Sequence, residues 1–121
     1  MVIQYAPGEP VSWHVELAVV DGALQAFAAL TAEMVQMSRT ESGVLLYERY
    51  ISSDERTIHV LERYASSEAA LAHLLAFKEH FAPRFGHLII RRKFEVFGDP
   101  SRELKLLLDG FGASYSRILA G

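Results

Sequence analysis

The chain has 121 residues, half of them hydrophobic and 22% charged, with a formal net charge of −3; that suits one compact domain with a real core and excludes a disordered chain. Such a balance gives no long-range pull toward nucleic acid or anionic lipid, and the longest cationic run, Arg91-Arg92-Lys93, reads as a solvated stretch. Cysteine is absent, which removes a disulfide framework, a thiolate metal site and a cysteine nucleophile together.

The opening MVIQYAPGEP lacks the basic start and apolar centre of a signal peptide, and no apolar run approaches the length of a membrane span. The expectation is a cytoplasmic protein with no membrane contact. Pro7, Gly8 and Pro10 make residues 1–10 an N-terminal arm. Trp13, Val15, Leu17 and Val19 then alternate with Ser12, His14, Glu16 and Ala18, the period of a strand. Asp21-Gly22 ends it, with Asp21 as the expected N-cap of a helix from about Ala23 to Arg39, in which Leu24, Phe27, Thr31, Met34 and Val35 recur at helical spacing. Val44 to Ile51 is a second strand, Ser52 to Glu55 a turn, and Thr57 to Tyr64 a third strand, so strands two and three form a hairpin. Ser66 or Ser67 caps the next helix, with Glu68 suiting its dipole. Pro83 breaks or kinks that helix and Gly86 marks a second irregularity. Arg92 to Phe97 is a fourth strand, Ser101 to Leu108 a small extra helix, and the rest a packing tail.

The order is βαββαβ with an appended helix, which predicts an α+β, ferredoxin-like fold: a four-stranded antiparallel sheet with two helices on one face. The main domain is expected over residues 11–98, with a C-terminal helical extension and tail over 99–121. In the first three strands both alternating faces are largely apolar. Strand two sets Leu45, Tyr47 and Ile51 against Val44, Leu46 and Tyr50, and strand three sets Ile58, Val60 and Tyr64 against Leu61. Helices cover only one face, so a second cover is expected. The economical cover is the same sheet of a second copy, which predicts a homodimer.

Glu62 is the one carboxylate on the strand-three face that also holds Ile58, Val60 and Tyr64, and the next helix carries Ala70, His73, Phe77 and His80 or Phe81 along one stripe. If stripe and face meet, His73 approaches Glu62 and Tyr64. Two readings stand. Glu62 and His73 satisfy each other inside the core, or His73 is a general base whose tautomer Glu62 fixes, with Tyr64 or Tyr47 positioning a phenolic substrate. Trp13, Tyr47, Phe77 and Phe81 either line an aromatic pocket or are plain core. His14 and Glu16 share a face of strand one and suit a solvated or dimer-edge role, while His59 points to the face opposite Glu62, where a dimer partner is expected. No two histidines have metal-site spacing in a helix, and nucleotide-binding and serine-hydrolase motifs are missing, so neither a metal nor a nucleotide cofactor is expected.

Glu62, Tyr64, Ser66-Ser67, Glu68-Ala69 and His73 together resemble the pattern of the antibiotic biosynthesis monooxygenase family of dimeric α+β barrel proteins, and Thr40 to Glu48 is similar to that family's link from helix one to strand two. The resemblance spans roughly residues 12 to 97. It implies a sheet-to-sheet homodimer and oxidation of a quinol or polyphenol by O₂ with no metal or flavin. A side chain deprotonates the substrate and the resulting anion reduces oxygen directly. It further implies His73, Glu62 and Tyr64 as catalytic positions, with Trp13, Tyr47, Phe77, His80 and Phe81 around the small aromatic substrate. The family often has Trp where this chain has Tyr64. Haem-degrading relatives carry an Asn near the position of Val15, which disfavours haem degradation. Two alternatives remain beside the monooxygenase: a non-catalytic dimeric ligand-binding or stress-related domain, and an isomerase or decarboxylase using the same His and Glu. A ligand-sized pocket reaching His73 separates the enzymes from the binding domain.

Overall fold

A computed structural model describes residues 9–121, so most of the expected N-terminal arm lies outside the described residues. The elements are β1 (Val11–Val19), α1 (Leu24–Ser38), β2 (Val44–Ile51), β3 (Thr57–Tyr64), α2 (Ser67–His80), α3 (Ala82–Leu88), β4 (Ile89–Phe97), α4 (Arg102–Gly110) and β5 (Ser114–Ser116). The sheet has five strands in the order β2-β3-β1-β4-β5. The expected four antiparallel strands are present, and β5 adds a fifth that runs parallel to β4, making the sheet mixed. Three residues, Ser-Tyr-Ser, are too few to show a period of two, so this strand had no pattern to be read from.

Local chemistry accounts for most boundaries. The Ser66 hydroxyl accepts from the Ala69 amide at 3.1 Å and starts α2, and Ser101 does the same for Leu104 in α4. Pro83 sits in the first turn of α3, where its missing N–H costs nothing, so the helical run breaks just before it. Gly86 lies inside α3 and does not interrupt it. Asp21 does not cap α1. Gly22 takes φ +79° in a turn, and Ala23 stands at the cap with no side-chain bond. β4 begins at Ile89, three residues before the expected start, because Ile89 and Ile90 continue straight out of α3 to pair with Val19 and Ala18.

The core lies on one face of the sheet. Val11, Trp13, Val15 and Leu17 of β1 and Ile58, Val60 and Tyr64 of β3 pack beneath Phe27, Leu30 and Met34 of α1, Ala70 and Leu74 of α2, and Leu104 and Leu108 of α4. The segment after Gly98 therefore shares the core. Gly43 allows α2 to approach closely, since a Cβ there would collide with that of Ala69.

Strand two differs from simple alternation. A bulge between Val44 and Leu46 puts two residues of β2 against one step of β3. Val44 consequently joins Tyr47 and Arg49 on the inner face, leaving Leu46, Glu48 and Tyr50 outside. The outer face is more mixed than two apolar faces would require. Leu46, Tyr50, Leu61, Ile90 and Phe97 share it with Glu16, Glu48, Arg63, Lys93 and Glu95. His14 and His59 stack there with ring nitrogens 2.9 Å apart.

Candidate active site

Antiparallel register brings Tyr47, Glu62, Trp13 and Val96 into one row across four strands, all facing the helices. The next row is Arg49, Val60, Val15 and Phe94. Glu62 thus enters the core with an arginine diagonally opposite on the neighbouring strand. The Arg49 Nη2 donates to Glu62 Oε2 at 2.6 Å, and the two side chains are only 10% and 6% exposed. The other carboxylate oxygen accepts from the Trp13 indole at 2.9 Å and the Tyr64 hydroxyl at 2.6 Å. A buried carboxylate is costly unless paired and bonded, and Glu62 is both. Three donors take most of its accepting capacity, leaving little with which to act on a substrate.

His73 comes from α2, beside Ala70 and Leu74, and is buried. Its Nε2 lies 3.6 Å from Glu62 Oε1, outside hydrogen-bond range, while its Nδ1 is 2.9 Å from Glu41 Oε1. A carboxylate only accepts, so Nδ1 carries the hydrogen and a neutral ring leaves its lone pair at Nε2. Glu41, in the loop before β2, therefore orients His73, the part the sequence reading gave to Glu62. Tyr47 meets His73 edge-on with ring centroids 5.3 Å apart, Tyr64 packs at 5.1 Å, and the Arg49 guanidinium lies 3.5 Å over the Tyr47 ring.

Both phenols are held above the ordinary tyrosine value, by burial first and then by the Glu62 charge. They remain protonated donors and are unsuited to be bases. Tyr64 directs its hydroxyl to Glu62 and is fully buried. The Tyr47 hydroxyl and Arg49 Nη1 are buried without a hydrogen-bond partner.

A cleft partly open to solvent, about 460 Å³ when the solvent at its mouth is counted, reaches this group. Trp13, Arg49, Glu62 and His73 form its polar part, and Phe77, Phe94 and Phe111 are among its apolar walls. A smaller recess lies behind His73 between Glu41, Tyr47, Phe77 and Phe81. Of the residues expected around a ligand, Trp13 and Phe77 line the main cleft, whereas Tyr47 and Phe81 line the recess. His80 lies on neither; it is half exposed beside Glu79. Sequence reasoning missed Arg49, Glu41, Arg91 and Phe111. Among the described residues no group of three or more His, Asp or Glu side chains could hold a metal ion, and no helix is long and apolar enough to cross a membrane.

No curated protein matches the sequence. Among solved structures, MupZ from Pseudomonas fluorescens superposes with a TM-score of 0.81 at 22% identity, covering 100% of this chain and 94% of that one. SnoaB, a cofactor-independent oxygenase from Streptomyces nogalater, gives 0.64 at 16% identity, covering 77% and 95%. Rv0793 from Mycobacterium tuberculosis gives 0.60 at 25% identity, covering 77% and 97%. The antibiotic biosynthesis monooxygenase family model matches residues 10–82, more than half of the chain, and with the shared fold this places the protein in the antibiotic biosynthesis monooxygenase family.

Proposed function

We propose that the protein is a cofactor-independent monooxygenase that oxidises a quinol or polyphenolic aromatic with O₂. The observation that carries this reading is a cleft lined by His73, whose Nδ1 is taken by Glu41, and by Arg49, whose Nη1 has no partner. Apolar sides hold a flat ring, and at the polar end the Nε2 lone pair takes the phenolic proton. The Arg49 N–H then bonds the oxyanion, a group that carries full charge only after deprotonation. The electron-rich anion passes one electron to O₂, and the radical and superoxide combine to form a C–O bond. Proton return from His73 gives a hydroperoxide, which loses water to leave a carbonyl, so one oxygen atom enters the product and one leaves in water. SnoaB, a cofactor-independent oxygenase of the same fold, supports the reaction type.

The expected assembly is a homodimer through the outer sheet face, where Tyr50, Ile90 and Phe97 are 51%, 56% and 43% exposed. The test of the reaction is oxygen uptake by the purified protein with naphthoquinols and anthrols, set against His73→Ala. Uptake above autoxidation that falls by about 10²–10⁴-fold in the variant supports the reading. Wild-type uptake retained by a folded His73→Ala variant overturns it.

A further inference from the structure

The cleft carries a charge imbalance that the chemistry above does not use. Its charged lining groups are Arg49, Glu62 and Arg91, with His73 beside them. Glu62 is committed to Arg49 at 2.6 Å. One guanidinium charge, that of Arg91, is left over in a protein whose formal net charge is −3.

Arg91 reaches the cleft because of backbone irregularity. Between Glu16 and Leu17 the β1–β4 register slips, so Leu17 opposes Arg91 while Glu16 opposes Lys93. The extra residue, Arg92, restores parity and turns Arg91 toward the helices. Its row is otherwise aliphatic: Ile51, Ile58, Leu17, Arg91. An arginine is not needed there for packing. It is exposed at the cleft mouth, with its guanidinium 5.0 Å above the ring of Phe111 from the C-terminal segment. Among the described residues no carboxylate lies within ion-pair distance of it.

At the other end, Arg49 is nine-tenths buried and its Nη1 has no partner. Buried donors left unmade are costly, so the partnerless N–H of a cleft-lining arginine signals an acceptor on the occupant. Arg49 and Arg91 stand three strands and one row apart, which at ~4.8 Å per strand and ~3.4 Å per residue separates their Cα atoms by roughly 16 Å. The occupant is therefore extended, with an oxygen acceptor at one end and a negative group at the other.

From this geometry we infer that the substrate is an aromatic carboxylic acid: its hydroxyl oxygen is received by Arg49 and His73, and its carboxylate by Arg91 at the mouth, with the rings between. A single planar fork stacked on an aromatic ring matches one carboxylate. A phosphate would call for further donors, which Leu17 and Phe111 do not offer. The inference deepens the monooxygenase reading and rests on it for the role of the hydroxyl, while the carboxylate site is tested by binding alone.

The test compares 6-hydroxy-2-naphthoate, whose hydroxyl and carboxylate lie at opposite ends of the rings, with 2-naphthol by isothermal titration calorimetry on the full chain, anaerobically and at low salt. The acid is expected to bind about tenfold tighter, the factor that one charge-assisted contact supplies. Arg91→Gln is expected to erase that preference without weakening 2-naphthol, and Arg91→Lys to restore part of it. Equal affinities in the wild type, a preference that survives Arg91→Gln, or binding of neither probe overturns the inference. Because no turnover is involved, a carboxylate preference found together with absent oxygen uptake sinks the oxygenase reading and leaves the acid site standing.

Discussion

Replacing Arg49 by methionine isolates the energetics of the site. The substitution keeps an unbranched apolar stem but strips Glu62 of the Arg49 guanidinium, leaving a carboxylate 6% exposed with two neutral donors, Trp13 and Tyr64. Breaking a buried pair from one side costs about 3–5 kcal/mol, because an uncompensated charge stays inside. For 121 residues, unfolding entropy of ~2.1 cal/mol/K per residue gives about 0.25 kcal/mol/K, so Tm is expected to fall by roughly 12–20 °C. The companion variant Arg49→Met/Glu62→Gln removes the charge and keeps an oxygen for Trp13 and Tyr64, so it is expected to regain most of the loss. Urea unfolding and thermal melts followed by circular dichroism, at fixed protein concentration, measure both. If Arg49→Met costs less than about 1 kcal/mol, the value of an exposed pair, or if removing the Glu62 charge gives no recovery, the description of a buried, charge-compensated carboxylate is refuted.

Three further outcomes are expected. Tyr47 and Tyr64 have folded-state values raised above 10.0 by burial and by Glu62, so above pH 10 the unfolded chain loses protons that the folded one keeps. Stability is full below pH 10 and falls above it by about 1.4 kcal/mol per pH unit for each tyrosine, a slope that urea melts between pH 9 and 11.5 would measure; a flat profile would count against their burial. Gly43→Ala forces a methyl into Ala69 and should cost about 1–3 kcal/mol in urea melts. Leu108→Ala, in a helix outside the family match, empties a fully buried position and should cost about 2–5 kcal/mol in the same melts; an unchanged midpoint would mean that α4 does not share the core.

The architecture was legible because its signals are periodic. Alternation in β1 and β3 and the helical spacing of Phe27 and Met34 survive intact in the folded chain, as does the placing of Glu62, Tyr64 and His73 together. Arg49 could also have been found. Ile51 faces Ile58 beside the short turn, and stepping back by twos sets Arg49 diagonally from Glu62; the pattern alone does not place it inside because a charged strand residue is usually solvated. Glu41 had no such signal, since a loop residue has no period. The bulges in β2 and β4 were equally hidden. A one-residue slip changes which side chains face inward without changing the composition of either strand, and Arg91 depends on such a slip.

Two carboxylates serve one histidine, and their environments divide the work. Glu62 has three donors and almost no exposure, so it builds the wall and fixes the Arg49 guanidinium whose second nitrogen stays free. Glu41 has a side chain 22% exposed, which makes it the link between His73 and water. On the proposed reading, a proton taken at Nε2 makes His73 a cation held between both carboxylates. The Nδ1 hydrogen bond to Glu41 steadies that cation until Nε2 returns its proton to the peroxide. Glu41→Gln preserves the shape but presents an amide that accepts through one oxygen only and takes up no proton. It should slow turnover less than His73→Ala and leave substrate affinity unchanged, and steady-state oxygen uptake would separate the two variants. An activity equal to the wild type would show that the Glu41 charge does not steady the His73 cation.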